Sequence, residues 1–198
     1  MNQVNFTRGQ GFLENFLVKQ RAQKADSFIS SSQRKGRILD IGCGLIPYFL
    51  LHTDFQEKFG IDSATTTLPQ ASGIKIHCEA IHKNKALPYQ ESFLDVVTLL
   101  GVLEHFEPEE VSSLFKQIHR ILKPQGRFIL TTPHPYSGQL LKVLGRFRLI
   151  SPQEIKDIRA SYSVKMMSSF LEEAGFAPSK MHFGCFQGGL NTWVWAEK

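Results

Sequence analysis

Two carboxylates and two glycines mark the stretch of this chain that could do chemistry. Asp40 stands two residues before Gly42-Cys43-Gly44, and Asp62 follows Gly44 by eighteen residues, closing the run Phe59-Gly60-Ile61-Asp62. Glycines one residue apart allow a tight turn whose torsion angles a Cβ would oppose, and they let a bound group lie against the backbone. An acid at the end of the following strand has the spacing at which an α/β unit offers a carboxylate to ribose hydroxyls. Together these residues describe a seat for an adenosine-containing ligand.

Such a seat needs a strand on each side of the turn. Arg37 to Ile41 is a short apolar run with Asp40 inside it, and Pro47-Tyr48-Phe49-Leu50-Leu51 suits the first turns of a short helix, with proline tolerated at its start. A second strand ends at Asp62, and Gly73 to Cys78 alternates like a third. Phe93 to Gly101 is a nearly continuous apolar run, as expected of a central strand covered on both faces and lying beside the first. Pro108-Glu109-Glu110 opens a helix that Lys123-Pro124-Gln125-Gly126 stops, and Arg127 to Thr132 is a fifth strand. A last helix over Val164 to Ala174 ends at Gly175, suited to a left-handed cap, and Gln187-Gly188-Gly189 separates two closing strands, Lys180 to Phe186 and Leu190 to Ala196. Before all of these, Gly11 to Ser30 spaces Phe12, Leu13, Phe16, Leu17, Ala25, Phe28 and Ile29 like a helix that covers the sheet or a pocket. Thr65 to Pro69 is a one-turn connector at most. Strands alternating with helices predict a parallel sheet with helices on both sides.

The bulk properties are those of one ordinary globular domain: 198 residues, 42% hydrophobic and 21% charged. A net charge of +5 could favour acidic partners, but the basic residues are scattered, so nucleic acid is not the expected partner. The three cysteines form no Cys-x-x-Cys pair, His77, His82, His119 and His182 have no metal-site spacing, and no metal is expected. Met1 to Phe6 has no basic region followed by an apolar core, and no apolar stretch reaches membrane-spanning length, so a cytoplasmic protein is expected.

The residues from about 36 to 198 resemble the class I S-adenosylmethionine-dependent methyltransferases. Leu39-Asp40-Ile41-Gly42-Cys43-Gly44 is similar to the family's first motif and Gly60-Ile61-Asp62-Ser63 to its second. Leu87 to Val97, then Val102-Leu103-Glu104-His105, then Leu122-Lys123-Pro124-Gln125-Gly126 resemble the next three in order. The resemblance implies a Rossmann-like, doubly wound sheet of seven strands in the order 3-2-1-4-5-7-6, mostly parallel with one antiparallel strand and helices on both faces. It implies one domain, 1–198: a helical cover over 1–35, a cofactor-binding core over 36–132, a substrate-side insertion over 133–165, and a closing helix and hairpin over 166–198.

It further implies a cofactor, S-adenosylmethionine, leaving as S-adenosylhomocysteine, and in-line methyl transfer to a small-molecule, carbohydrate-linked or lipid-linked acceptor. Gly42 and Gly44, with Cys43 between them, would lie against the cofactor's amino acid portion, whose ammonium Asp40 would hold. Asp62, followed by Ser63, would accept from both ribose hydroxyls, and Leu100 and Gly101 would flank the methionine portion. Ile46 replaces a commonly seen third glycine, so the helix entry should differ and be shorter. His82 stands where an acid or amide usually meets adenine, and a neutral imidazole can still accept from the adenine amine. If the acceptor is a hydroxyl, a base would help remove its proton, and His105 and His134, just beyond the fourth and fifth strands, are the candidates by position.

Plainer readings stand beside these. His105 could be structural, His134 a loop histidine, the cysteines packing residues, and Glu104, Glu107, Glu109 and Glu110 a solvated helix start. The apolar and basic stretch 137–150 could pack on the sheet, form a lid, or touch a membrane surface peripherally. Two other classes remain: a non-catalytic cofactor-binding or regulatory domain of this fold, and an NAD(P)-dependent oxidoreductase, since an acid at the second strand end serves either ribose.

Overall fold

The computed structural model describes residues 13–63, 72–79, 81, 86–137 and 159–198. His82, the 65–69 connector, the first twelve residues of the cover and all of the 137–150 stretch but Ser137 lie outside them. The strands are β1 (Arg37–Ile41), β2 (Glu57–Ile61), β3 (Ile74–His77), β4 (Leu94–Leu100), β5 (Leu122–Pro133), β6 (Met181–Phe186) and β7 (Asn191–Glu197). They form one sheet in the order β3-β2-β1-β4-β5-β7-β6, in which β7 alone runs antiparallel, pairing Pro133 with Asn191 and Arg127 with Glu197. The expected seven-stranded, doubly wound sheet is the one observed.

Alternation of side chains along each strand divides the core into two layers, one on each face. On one face Leu39, Ile41, Phe59, Ile61, Val97, Leu99, Phe128 and Leu130 pack against α3 (Pro108–Ile121) and α4 (Val164–Ala174). The α3 residues Val111, Leu114, Phe115, Ile118 and Ile121 are buried at helical spacing, so a single stripe meets the sheet. Its start is fixed by a capping box, in which Glu110 Oε2 accepts the Glu107 N–H at 2.9 Å, with Pro108 inside the first turn. On the other face Ile38, Val96 and Ile129 pack with Ala22 and Ala25 of α1 (Glu14–Asp26) and with Phe49 and Leu50 of α2 (Tyr48–His52). Gly175 closes α4 in the left-handed region, at φ 107°.

Three expectations shift. The helix α3 ends at Ile121, and residues 123–126 bulge out of β5 between the Leu94–Leu122 and Val96–Arg127 pairs instead of forming a separate stop. The leading helix buries its small residues, Ala22 and Ala25, while Phe16 is 54% exposed. The small side chains let the helix sit close to the sheet. Glu104 is not on a solvated helix start: it lies in a 3-10 turn, Leu103–His105, and is 6% exposed. Among the described residues no helix is long and apolar enough to cross a membrane.

Candidate functional site

The sheet reverses its winding between β1 and β4, and ligands of such sheets bind beyond the carboxyl ends of the strands at that reversal. Strand register puts Gly60, Asp40 and Thr98 side by side across β2, β1 and β4 just before this edge. Asp40 is nearly buried, and the Thr98 hydroxyl donates to its Oδ1 at 2.6 Å. Burial pushes the Asp40 carboxyl up to about 7; the Thr98 hydrogen bond pulls it partly back, and the nearby Asp62 charge adds to the rise. A buried acid held at the edge of ionisation is a ready partner for a cation.

The turn after β1 is shaped by its glycines. Gly42 and Gly44 have φ of 72° and 81°, and a Cβ at Gly42 would come within 2.5 Å of Val102 Cγ2. The Gly42 N–H donates to the Ile61 carbonyl at 2.7 Å, and the Gly44 N–H donates to Asp62 Oδ2 at 3.0 Å. The turn is thus tied to the end of β2, and the Asp62 carboxylate lies directly against it. Cys43 is buried with its Sγ over Gly60, where a Cβ would meet it at 2.9 Å. Close packing of a sulfur on a strand glycine holds the turn down. Ser63 is exposed beside Asp62. Pro47 caps α2, a single short helix, as the Ile46-Pro47 pair predicts.

Leu100 ends β4 half-buried, and Gly101 follows at φ 70°, its N–H donating to the Thr131 carbonyl at 2.8 Å. The Arg21 guanidinium of α1 fills the space where a Gly101 Cβ would stand. His105 closes the 3-10 turn beyond β4. Glu104 Oε2 accepts from the Thr132 hydroxyl at 3.1 Å, which brings the exits of β4 and β5 together. His134 lies two residues beyond Thr132; its Nδ1 accepts the Tyr136 N–H at 3.3 Å, and its carbonyl accepts from the Ser137 N–H and Oγ. The structure therefore gathers Asp40, Gly42, Cys43, Gly44, Asp62, Leu100 and Gly101 at one edge and sets His105 and His134 on the neighbouring strand exits.

Reasoning from the sequence missed Thr98, Glu104, Thr132, Tyr89 and Arg21. Thr98 was signalled as the one hydroxyl inside an apolar strand, and Glu104 by its apolar neighbours Val102 and Leu103. Tyr89 is buried among Phe59, Phe93 and His77, and burial, followed by the neighbouring Cys43 and Glu79, drives its hydroxyl well above the usual tyrosine range. Arg21 carries no sequence signal beyond its charge.

An adenosine-bearing sulfonium with an amino acid tail fits this donor set: glycine backbone for close approach, one carboxylate at the turn and a second, buried one for an ammonium. Solved structures place the fold. An S-adenosylmethionine-dependent methyltransferase from Mesorhizobium loti is 18% identical with a TM-score of 0.66, covering 92% of this chain and 100% of that one. One from Archaeoglobus fulgidus is 15% identical with a TM-score of 0.65, covering 92% and 94%. A Haemonchus contortus N-methyltransferase solved with phosphomonomethylethanolamine and S-adenosylhomocysteine is 14% identical with a TM-score of 0.61, covering 91% of this chain and 53% of that one. At such identities the likeness is one of fold. No curated protein matches the sequence. The methyltransferase-domain family matches residues 17–180, and this chain belongs to it, among the class I S-adenosylmethionine-dependent methyltransferases.

Proposed function

We propose that the protein is an active S-adenosylmethionine-dependent methyltransferase whose acceptor is a small molecule, free or carried on a sugar or lipid. The observation that carries the reading is the Asp62 carboxylate held against the glycine turn by the Gly44 N–H. In that position one carboxylate can receive two ribose hydroxyls while the turn's backbone stays fixed. Gly42, Cys43 and Gly44 supply the close-approach surface for the amino acid portion, Asp40 the counter-charge for its ammonium, and Leu100 and Gly101 a wall along the methionine chain. Ser63 adds a hydroxyl beside the ribose, and His82 a ring for adenine. When bound, the cofactor supplies an electrophilic methyl group on a positively charged sulfur.

The chain's own task is then to hold an acceptor atom in line with that methyl and to keep water out. The exits of β4 and β5 provide the groups: His105 next to Glu104, and His134 two residues past Thr132. With Nδ1 accepting from the Tyr136 N–H, the neutral His134 ring carries its proton on Nε2. In that tautomer it orients an acceptor by donating, which leaves His105 as the candidate base. On this reading residues 36–132 are the cofactor core, residues 1–35 a helical cover and residues 133–165 the substrate-side insertion.

The test is calorimetric titration with S-adenosylmethionine, S-adenosylhomocysteine and NAD, beside Asp62→Ala. Micromolar binding of the first two that the substitution abolishes is expected. Binding of NAD instead would move the protein to the oxidoreductases, and binding of none of the three by the folded protein would make it a degenerate member of the fold.

A further inference from the structure

The Arg21 side chain does something no packing argument explains. It comes from α1, whose Leu17 carbonyl accepts from Gln187 Nε2 at 3.4 Å in the turn that leads into β7, and β7 begins opposite the carboxyl end of β5. The helix therefore crosses the ligand edge of the sheet, and Arg21 sits on Gly101 with its guanidinium in the space a Cβ would take. Its Nε is buried without a hydrogen-bond partner, and among the described residues none forms a hydrogen bond or ion pair with the guanidinium. A buried donor on a charged group that lacks an acceptor costs stability, and such orphans mark places where a ligand supplies the acceptor. The planar fork of a guanidinium matches a two-oxygen anion, a carboxylate above all.

Position narrows the anion further. Asp40, held by the Thr98 hydroxyl, and Gly101, on which Arg21 lies, sit at the same carboxyl edge of the sheet, Thr98 and Gly101 being three residues apart along and just past β4. A buried acid and an unpaired guanidinium on one edge thus offer opposite charges to a zwitterion.

We propose that Arg21 binds the α-carboxylate of the cofactor, so that α1 is part of the cofactor site. This rests on the reading of the protein as an S-adenosylmethionine-binding enzyme. The test compares calorimetric binding of S-adenosylhomocysteine with that of 5′-methylthioadenosine, which keeps the nucleoside but has no amino acid group, for the wild type, Arg21→Met and Arg21→Lys. Met preserves the apolar stem on Gly101, and Lys preserves the charge without the fork. Arg21→Met is expected to weaken S-adenosylhomocysteine by about 10- to 100-fold and to leave methylthioadenosine unchanged, with Arg21→Lys in between. Unchanged methylthioadenosine binding also certifies the fold of each variant. Equal losses for both ligands would make Arg21 structural, and no loss for either would assign its guanidinium to something other than the cofactor; each result overturns the proposal. A wild type that binds neither nucleoside would instead remove the methyltransferase reading itself.

Discussion

Asp40→Asn should trade cofactor affinity for stability, because the Asp40 carboxyl stands at about 7 in the fold against an ordinary value of 3.8. Between those values the native state holds a proton that the unfolded chain has released, so the stability contributed by this group falls as pH rises from about 4 to about 7 and stays low above that. The full difference is about 4 kcal/mol at 1.36 kcal/mol per unit. An asparagine keeps the shape and can still accept from the Thr98 hydroxyl, which now donates at 2.6 Å, without the buried charge. Asp40→Asn should therefore unfold at higher urea than the wild type at pH 8, by up to about 4 kcal/mol, and match it near pH 4. The ligand runs the other way. An ammonium needs the ionised acid, so wild-type affinity for S-adenosylhomocysteine should fall about 30-fold between pH 8 and pH 5.5, following the ionised fraction of a group at about 7. The asparagine variant should bind weakly at both. Calorimetry at several pH values in two buffers of different ionisation heat checks both the slope and the proton released. A flat wild-type profile, or an Asp40→Asn variant that binds as the wild type does at pH 8, would refute the assignment of Asp40 to a cation.

Gly42→Ala should abolish S-adenosylhomocysteine binding and lower stability by about 1–3 kcal/mol, since a Cβ would strike Val102 Cγ2 at 2.5 Å in a left-handed residue; calorimetry and urea unfolding read the two effects. Glu104→Ala leaves the buried Thr132 hydroxyl, 1% exposed, without its acceptor, and should cost about 1–3 kcal/mol in urea unfolding while Glu104→Asp costs less. Tyr162→Phe removes the hydrogen bond to the Phe106 carbonyl at 2.6 Å from a fully buried ring and should cost about 1–2 kcal/mol by the same measurement. His134→Ala should leave S-adenosylhomocysteine binding unchanged, because His134 stands at the exit of β5, and should slow methyl transfer; undiminished turnover would remove it from the acceptor site.

What the sequence could disclose follows from how local each constraint is. Gly42 and Gly44 announce themselves because the turn demands their torsion angles within three residues, and Asp62 because a strand and a short helix fix its distance from them. The strands themselves are legible in the same way, as each is a short apolar run bounded by its own turn, whereas their order in the sheet is implied by the resemblance to the methyltransferases and by no local signal. Glu104 breaks that rule. Its acid neighbours Glu107, Glu109 and Glu110 made it look like the start of a solvated helix, yet its burial depends on Thr132, twenty-eight positions away, and on the Arg159 and Ala160 N–H groups that donate to its carbonyl. Arg21 is the limiting case. Nothing within its own helix distinguishes it from Lys19 or Lys24, and its meaning comes from Gly101, a residue that lacks a side chain so that the guanidinium can lie on the strand exit. The division is physical. The glycine-turn edge of the sheet is written in backbone turns, which sequence spells out one residue at a time, whereas the groups that cover it arrive from other elements and come to it only when the sheet brings those elements together.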